Sequence, residues 1–453
     1  MAIPNPFDTA FARRLKYQFV LIVMETKAIP GFRTVPRTGV IYVTHDATRR
    51  GFVYGHPEWA NLGQGSPETG DLPGAPPRVT EVTISETSRQ YGPVAGNQKL
   101  RQTVADFYNA THRRGKKSQY TAENVGIASG GRLALTRLAS ALGNINMGHF
   151  IPDYTAYEEL LSVFKAFTPI PILLRAESGY KISPADLKEE ILGRGLSALL
   201  ASNPANPTGQ LLEGAELSAW CALARECQCT MIFDEFYSHY VYKGKDPGKP
   251  KLVSAAAFVD NVDTDPIVVV DGLTKNWRYP GWRISWTLGP KTVIEAIASA
   301  GSFLDGGANH PFQDAALPLL DPKNAAAETA AIQKHFGKKR AWLLKRLKTL
   351  NIGVDAAPVG AFYVWANLAK LPPPLDDGMN FFLECLKEKT IVVPGVFFDV
   401  NPGNRRATAR YKNYCRISFG PELEKLEMGL DAIERVIWKF TPGKVRRVTR
   451  PAK

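Results

Sequence analysis

The sequence is sparing with cysteine and lacks the pairings that would give cysteine a structural task. Its five cysteines (Cys221, Cys227, Cys229, Cys385 and Cys415) make an odd count without a C-x-x-C pair. This excludes a disulfide framework and points to a reducing, cytoplasmic setting. The Cys227-Gln-Cys229 spacing is too short for a structural zinc pair, so both thiols are expected at a helix end or in the core. The apolar run FVLIVM, residues 19–24, is six residues long and ends at Glu25. It is too short for a membrane span and lacks the small-residue cleavage pattern of a signal peptide. No G-x-G-x-x-G, Walker A, H-E-x-x-H or G-x-S-x-G pattern occurs, which removes the commonest dinucleotide, nucleoside-triphosphatase, metalloprotease and serine-hydrolase readings.

What is present describes a globular chain of 453 residues, 44% hydrophobic and 22% charged. That length exceeds one compact core, so more than one lobe is expected. Fifty-six basic and 43 acidic residues leave a formal charge of +13. The excess forms no single stripe beyond the tail KVRRVTRPAK, which reads as a solvated terminus. No nucleic-acid partner is therefore expected. The bulk charge suits a cleft for small anions instead.

Between about residues 95 and 300, short apolar runs alternate with helical patterns. NVGIAS, SALLAS, CTMIF and PIVVV read as strands, while RLALTRLASAL and ELSAWCALAREC carry helical spacing. Such alternation predicts a parallel sheet covered by helices on both faces, an α/β large domain. The flanks predict a smaller α+β domain completed from both chain ends. Its parts include the long helix AAAETAAIQKHFGKKRAWLLKRLKTL and the strand-like GAFYVWANL and YCRISFG. The expected division is 1–88, 89–321 and 322–453.

Ligands of open parallel sheets bind beyond the carboxyl ends of the strands. NVGIAS leads there to Gly130, Gly131 and Arg132 at a helix start, where bare N–H groups and the helix dipole favour phosphate. SALLAS leads to Asn206 in NPTG, and CTMIF to Asp234 with Tyr237 three residues on. PIVVV leads to Lys275 and then Arg283, inside DGLTKNWRYPGWRISW. Each residue alone has a bland reading: a turn, a Pro-fixed loop, a surface lysine. Together they form the set pyridoxal 5'-phosphate requires, namely a Schiff-base lysine, a carboxylate for the pyridinium nitrogen, donors for the ring hydroxyl and phosphate binders.

SNPANPTG, IFDEFY, DGLTKNWRYPGWR and CRIS together resemble the class I/II aminotransferases of the fold-type I pyridoxal-phosphate superfamily. The resemblance implies that Lys275 carries the cofactor, that Asp234 pairs with the pyridinium nitrogen, and that Asn206 and Tyr237 bond the ring hydroxyl. It implies Arg283, Gly130, Gly131 and Arg132 around the phosphate, and Tyr154 stacked on the ring. Tyr91 in RQYGPVAG is similar to a tyrosine that reaches the neighbouring subunit's phosphate, implying a homodimer with shared active sites. Arg416 is similar to the arginine that clamps the substrate α-carboxylate, and Gly65 in LGQGSPE to a glycine whose backbone approaches the same group.

Gly272 departs from the pattern by replacing a common phosphate-binding serine, and Arg132 stands where a threonine or lysine is frequent. The resemblance implies an L-amino acid substrate and amino-group transfer to a 2-oxo acid. A lyase or cyclase reaction of the aminocyclopropane-carboxylate-synthase kind stays open, with Glu68 and the loop FLDGGANHPFQ (303–313) as its sequence support. Asn309 and His310 in that loop are candidates for substrate contact or for a helix start. A regulatory, DNA-binding reading would need an added domain, for which the N-terminal stretch is too short. Arg278 has no assigned task and is expected to face solvent.

Overall fold

The computed structural model describes residues 29–32, 35, 37, 39–242 and 250–441. The run FVLIVM and the basic tail lie outside the described residues. Cα packing separates residues 1–37 from residues 38–453. In the first unit the Phe32 N–H donates to the Ile29 carbonyl across 3.0 Å, closing a turn. The second unit carries all the described sheets.

Twelve strands follow in chain order: β1 (Ala60–Asn61), β2 (Val125–Ala128), β3 (Asn146–Ile151), β4 (Thr168–Leu173), β5 (Leu196–Ser202), β6 (Thr230–Asp234), β7 (Ile267–Gly272), β8 (Ser285–Leu288), β9 (Tyr363–Asn367), β10 (Thr390–Ile391), β11 (Val393–Pro394) and β12 (Tyr414–Ser418). Seven of them form one sheet in the order β2-β8-β7-β6-β5-β3-β4. All neighbours from β7 to β4 run parallel, while β8 is antiparallel to both β2 and β7. The all-apolar IVVV of β7 is buried throughout, as expected of a strand covered on both faces. The mixed α/β large sheet flanked by helices is the fold class read from the sequence.

The strands β3, β4 and β8 were not legible as apolar runs. β4 is one of the sheet's two edge strands and contains Pro169 and Pro171; an edge strand tolerates the missing ladder donors that would break a central one.

A second sheet, β11-β12-β9, is antiparallel, with Arg416 of β12 opposite both Trp365 and Val393. The helix Pro322–Thr349 starts on an Asp321 cap whose carboxylate accepts from the N–H groups of Lys323 and Asn324, with proline at its first position. Near the N-terminus, β1 pairs in parallel with β10, and the Ser418 N–H donates to the Leu62 carbonyl across 2.8 Å. Segment 60–62 is thereby sewn to strands more than three hundred positions later. The cysteines are free thiols; Cys227 caps the helix Gly214–Glu226 and Cys229 is buried, as their spacing suggested.

Candidate active site

A cavity of about 270 Å³ opens beyond the carboxyl ends of β2, β5, β6 and β7. Gly131, Arg132, Tyr154, Asn206, Asp234, Tyr237, Lys275 and Arg283 line it, joined by Ser202, Phe236 and Thr274. Eight sequence candidates from five separate segments thus meet around one space.

Lys275 is mostly buried, and its ammonium donates to the Gly65 carbonyl. Burial, followed by the nearby guanidiniums of Arg416, Arg132 and Arg283, lowers its pKa to about 7, with Asp234 pulling weakly the other way. A lysine so placed is poised to exchange its proton near neutrality. Asp234 ends β6 and is 6% exposed. Burial raises its pKa, while the Tyr157 hydroxyl, donating to Oδ2 across 2.6 Å, and the Phe236 N–H hold it down. Among the described residues no cation pairs directly with this carboxylate.

The helix Gly131–Ala141 begins at the cavity wall. Gly130 has φ +88°, and a Cβ there would lie 1.9 Å from Arg283 Nη2. A Cβ on Gly131 would fall into the Phe236 ring. Both glycines let backbone N–H groups and Arg283 crowd into one small volume. Arg132 Nη2 donates to the Tyr154 hydroxyl across 3.3 Å. Among the described residues neither Arg132 nor Arg283 has a carboxylate partner.

Arg416 and Gly65 do not line the cavity; Arg416 is fully buried behind Asn206, which does. Arg416 donates through Nη1 to Asn206 Oδ1 across 3.0 Å and through Nη2 to the Gly63 carbonyl across 2.7 Å, while Nε has no partner among the described residues. The Tyr363 ring lies 4.2 Å beneath its guanidinium, a cation–π contact. The Tyr363 hydroxyl meets that of Tyr237 at 2.9 Å, and a Cβ on Gly65 would stand 3.0 Å from it.

Tyr91 does not join this assembly within the chain; its side chain is fully exposed. Gly272 is buried against β8, where a Cβ would come within 2.6 Å of the Ile284 carbonyl oxygen; close strand approach leaves room for glycine only. Glu68 does not line the cavity. Its carboxylate accepts from His335 Nε2 and Lys339 Nζ, each at 2.7 Å. Asn309 caps the helix His310–Ala316 through the Phe312 N–H, and His310 Nδ1 lies 3.4 Å from the Gln90 carbonyl. Arg278, expected at the surface, is fully buried. Tyr157 and Tyr363 were missed in the sequence. Tyr157 had one available signal, its place three positions after Tyr154, and the two rings meet at 5.4 Å.

The model of the aminotransferase class I and II family matches residues 57–433. This chain belongs to that family. The probable aspartate/prephenate aminotransferase of Aquifex aeolicus is 26% identical over 382 residues, spanning 83% of this chain and 90% of that protein. The aspartate/prephenate aminotransferase of Thermus thermophilus is 27% identical over 374 residues, spanning 81% and 88%. The solved aspartate aminotransferase from Thermus thermophilus with maleate shares the fold at a TM-score of 0.71 and 24% identity, covering 89% of this chain and all of that one.

Aminotransferases of this family are generally pyridoxal-phosphate-dependent, and the donor set here fits that group. Two guanidiniums without acid partners face a helix N-terminus, suited to a phosphate dianion. A buried carboxylate without a cation suits a protonated ring nitrogen. Among the described residues the buried Thr274 Oγ1 and Arg416 Nε have no partner, and so keep hydrogen-bonding capacity for a bound molecule.

Proposed function

We propose that this aminotransferase holds pyridoxal 5'-phosphate in the cavity and moves the amino group of an L-amino acid to a 2-oxo acid. The observation that carries the reading is the meeting of Lys275, Asp234, Arg132 and Arg283 around one space. Pyridoxal phosphate, when bound, supplies an electron-withdrawing ring that spreads the electron pair left when Cα loses its proton. The chain's own groups do the remainder. Arg132, Arg283 and the N–H of Gly131 bind the phosphate, with Gly130 leaving room for Arg283. Asp234 keeps a proton on the ring nitrogen, a task helped by the Tyr157 hydroxyl that favours its charged form. Asn206 and Tyr237 bond the ring hydroxyl, and Tyr154 covers a ring face.

Arg416 takes the substrate α-carboxylate through its free Nε and one Nη, beside the Gly65 backbone. Lys275 would remove the Cα proton as general base, its burial favouring the neutral amine that this task needs. Tyr91, fully exposed in the single chain, is assigned to the partner's phosphate in a homodimer, and the cytoplasm is the proposed setting. The lobes are proposed at 1–88 with 322–453, and at 89–321; the β1–β10 pairing supports the first grouping.

The test has two arms. Borohydride reduction of the pyridoxal-phosphate-loaded protein, followed by peptide mass analysis, is expected to fix the cofactor on Lys275. Incubation with single L-amino acids and a 2-oxo acid, aspartate among the donors because the relatives are named for it, is expected to exchange amino and oxo groups. Attachment at another lysine would overturn the site assignment. Products formed without consumption of a 2-oxo acid would overturn amino transfer.

A further inference from the structure

Arg278 takes no part in the proposed reaction, although it lies three residues beyond Lys275. Its side chain is fully buried, and its backbone holds φ +60°, which a residue with a side chain adopts only at a cost. Nε donates to Glu328 Oε1 across 2.7 Å. Nη1 donates to the carbonyls of Gly70, at 2.6 Å, and Glu68, at 3.3 Å. One guanidinium thus ties the lysine loop, the segment around 68–70 and the helix Pro322–Thr349 together.

The surrounding contacts point the same way. Arg78 donates to the carbonyls of Trp277, at 3.1 Å, and Arg278, at 2.9 Å, and stacks 3.6 Å over the Tyr279 ring. The far end of the 65–70 segment is pinned by Glu68, through His335 and Lys339 and through its own N–H to the Gly420 carbonyl at 2.9 Å. The near end is Gly65, whose carbonyl accepts from Lys275. Burying an ion pair costs desolvation that an apolar pair of the same shape would avoid. What an apolar pair would lack is the forked donor set that spans two carbonyls and a carboxylate.

We propose that Arg278, held by Glu328, is a positioning residue that keeps the 65–70 strap closed against the lysine loop, so that the Gly65 carbonyl meets the Lys275 amine and water is kept from the side of the amine that does not face the cavity. The proposal rests on Lys275 being the reactive amine.

The test uses competitive acetylation of the cofactor-free protein from about pH 5 to about pH 9, read at the Lys275 peptide, with thermal melting alongside. In the native chain half-maximal reactivity is expected near the pKa of about 7. In Arg278→Lys, whose single ammonium can keep Glu328 but not both carbonyls, the midpoint is expected to rise by about one pH unit. Burial is the leading cause of the depression, so admitted water relieves it. The double variant Arg278→Met/Glu328→Met removes both charges of the pair; Arg78, 3.5 Å from Glu328, loses that carboxylate but keeps the carbonyls of residues 277 and 278, and the same rise is expected there. An unchanged midpoint in a folded variant would overturn the proposal, whatever the melting temperature does. Failure of both variants to fold would also overturn it, because Arg278 would then be a structural ion pair alone. The readout needs neither cofactor nor turnover, so a negative result leaves the amino-transfer reading standing. Failure of Lys275 to capture pyridoxal phosphate would sink that reading whatever the acetylation profile shows.

Discussion

The Tyr157 hydroxyl donates to Asp234 Oδ2 across 2.6 Å, and both groups are buried. A carboxylate in this position is driven toward its neutral form by loss of water, and the phenol is one of the few groups opposing that drive. Removing it in Tyr157→Phe is expected to weaken pyridoxal-phosphate binding about tenfold, the effect of losing one hydrogen bond of about 1.5 kcal/mol to a charged acceptor. Titration of cofactor into the cofactor-free protein measures this. Unchanged affinity would show that Asp234 keeps its charge without help.

Arg416 offers a different kind of test, because its neighbours already occupy two of its donors. In Arg416→Lys the single ammonium cannot serve Asn206, the Gly63 carbonyl and an incoming carboxylate together. KM for the amino acid is expected to rise about 100-fold, in keeping with the loss of one or two charge-assisted bonds. Cofactor affinity should stay the same. A matching loss of cofactor affinity would instead mean that Arg416 supports Asn206 at the ring.

Glu68 links stability to pH. Burial raises its pKa, but the bonds from His335 and Lys339 outweigh this and bring it down to about 2. A carboxyl depressed on folding stabilises the protein above its unfolded pKa of about 4.3 and loses that contribution as pH falls toward the folded value. Lys339 is itself lowered by burial, which gives back part of the gain. Glu68→Gln is therefore expected to cost about 2 kcal/mol at neutral pH, measured by denaturant unfolding, and progressively less as pH falls from about 4 to about 2. A cost independent of pH would show that packing, and not the ion pair, is what the glutamate provides.

Most of the cavity was readable because buried parallel strands announce themselves as apolar runs, and the polar residue that ends each run must stand at the ligand end of the sheet. IVVV and CTMIF delivered Lys275 and Asp234 in this way. What stayed hidden depended on partners remote in sequence. The fate of Arg278 was set by Glu328, fifty positions on, and by two backbone carbonyls near residue 70. Nothing local distinguishes such a cation from a solvated one. Tyr363 lay in a recognised strand, yet its meeting with Tyr237 and Arg416 arises only when the second sheet packs against the loops of the first. The support found for cyclisation had the same weakness: Glu68 and Asn309 are unusual in sequence but are occupied by an ion pair and a helix cap.

The reversed strand β8 has a consequence for how such an enzyme could diversify. Lys275 and Arg283 leave the sheet on β7 and return with β8, so one short hairpin carries both anchors proposed for the cofactor. An insertion there would alter the span between them, and the hairpin is expected to resist changes of length over evolutionary time. The segment bearing Gly65 enters from elsewhere in the chain and is fastened by side chains and by the backbone bond from Glu68 to Gly420. New substrate preferences would therefore accumulate in that segment, where residues can be exchanged without resetting the distance between the two anchors.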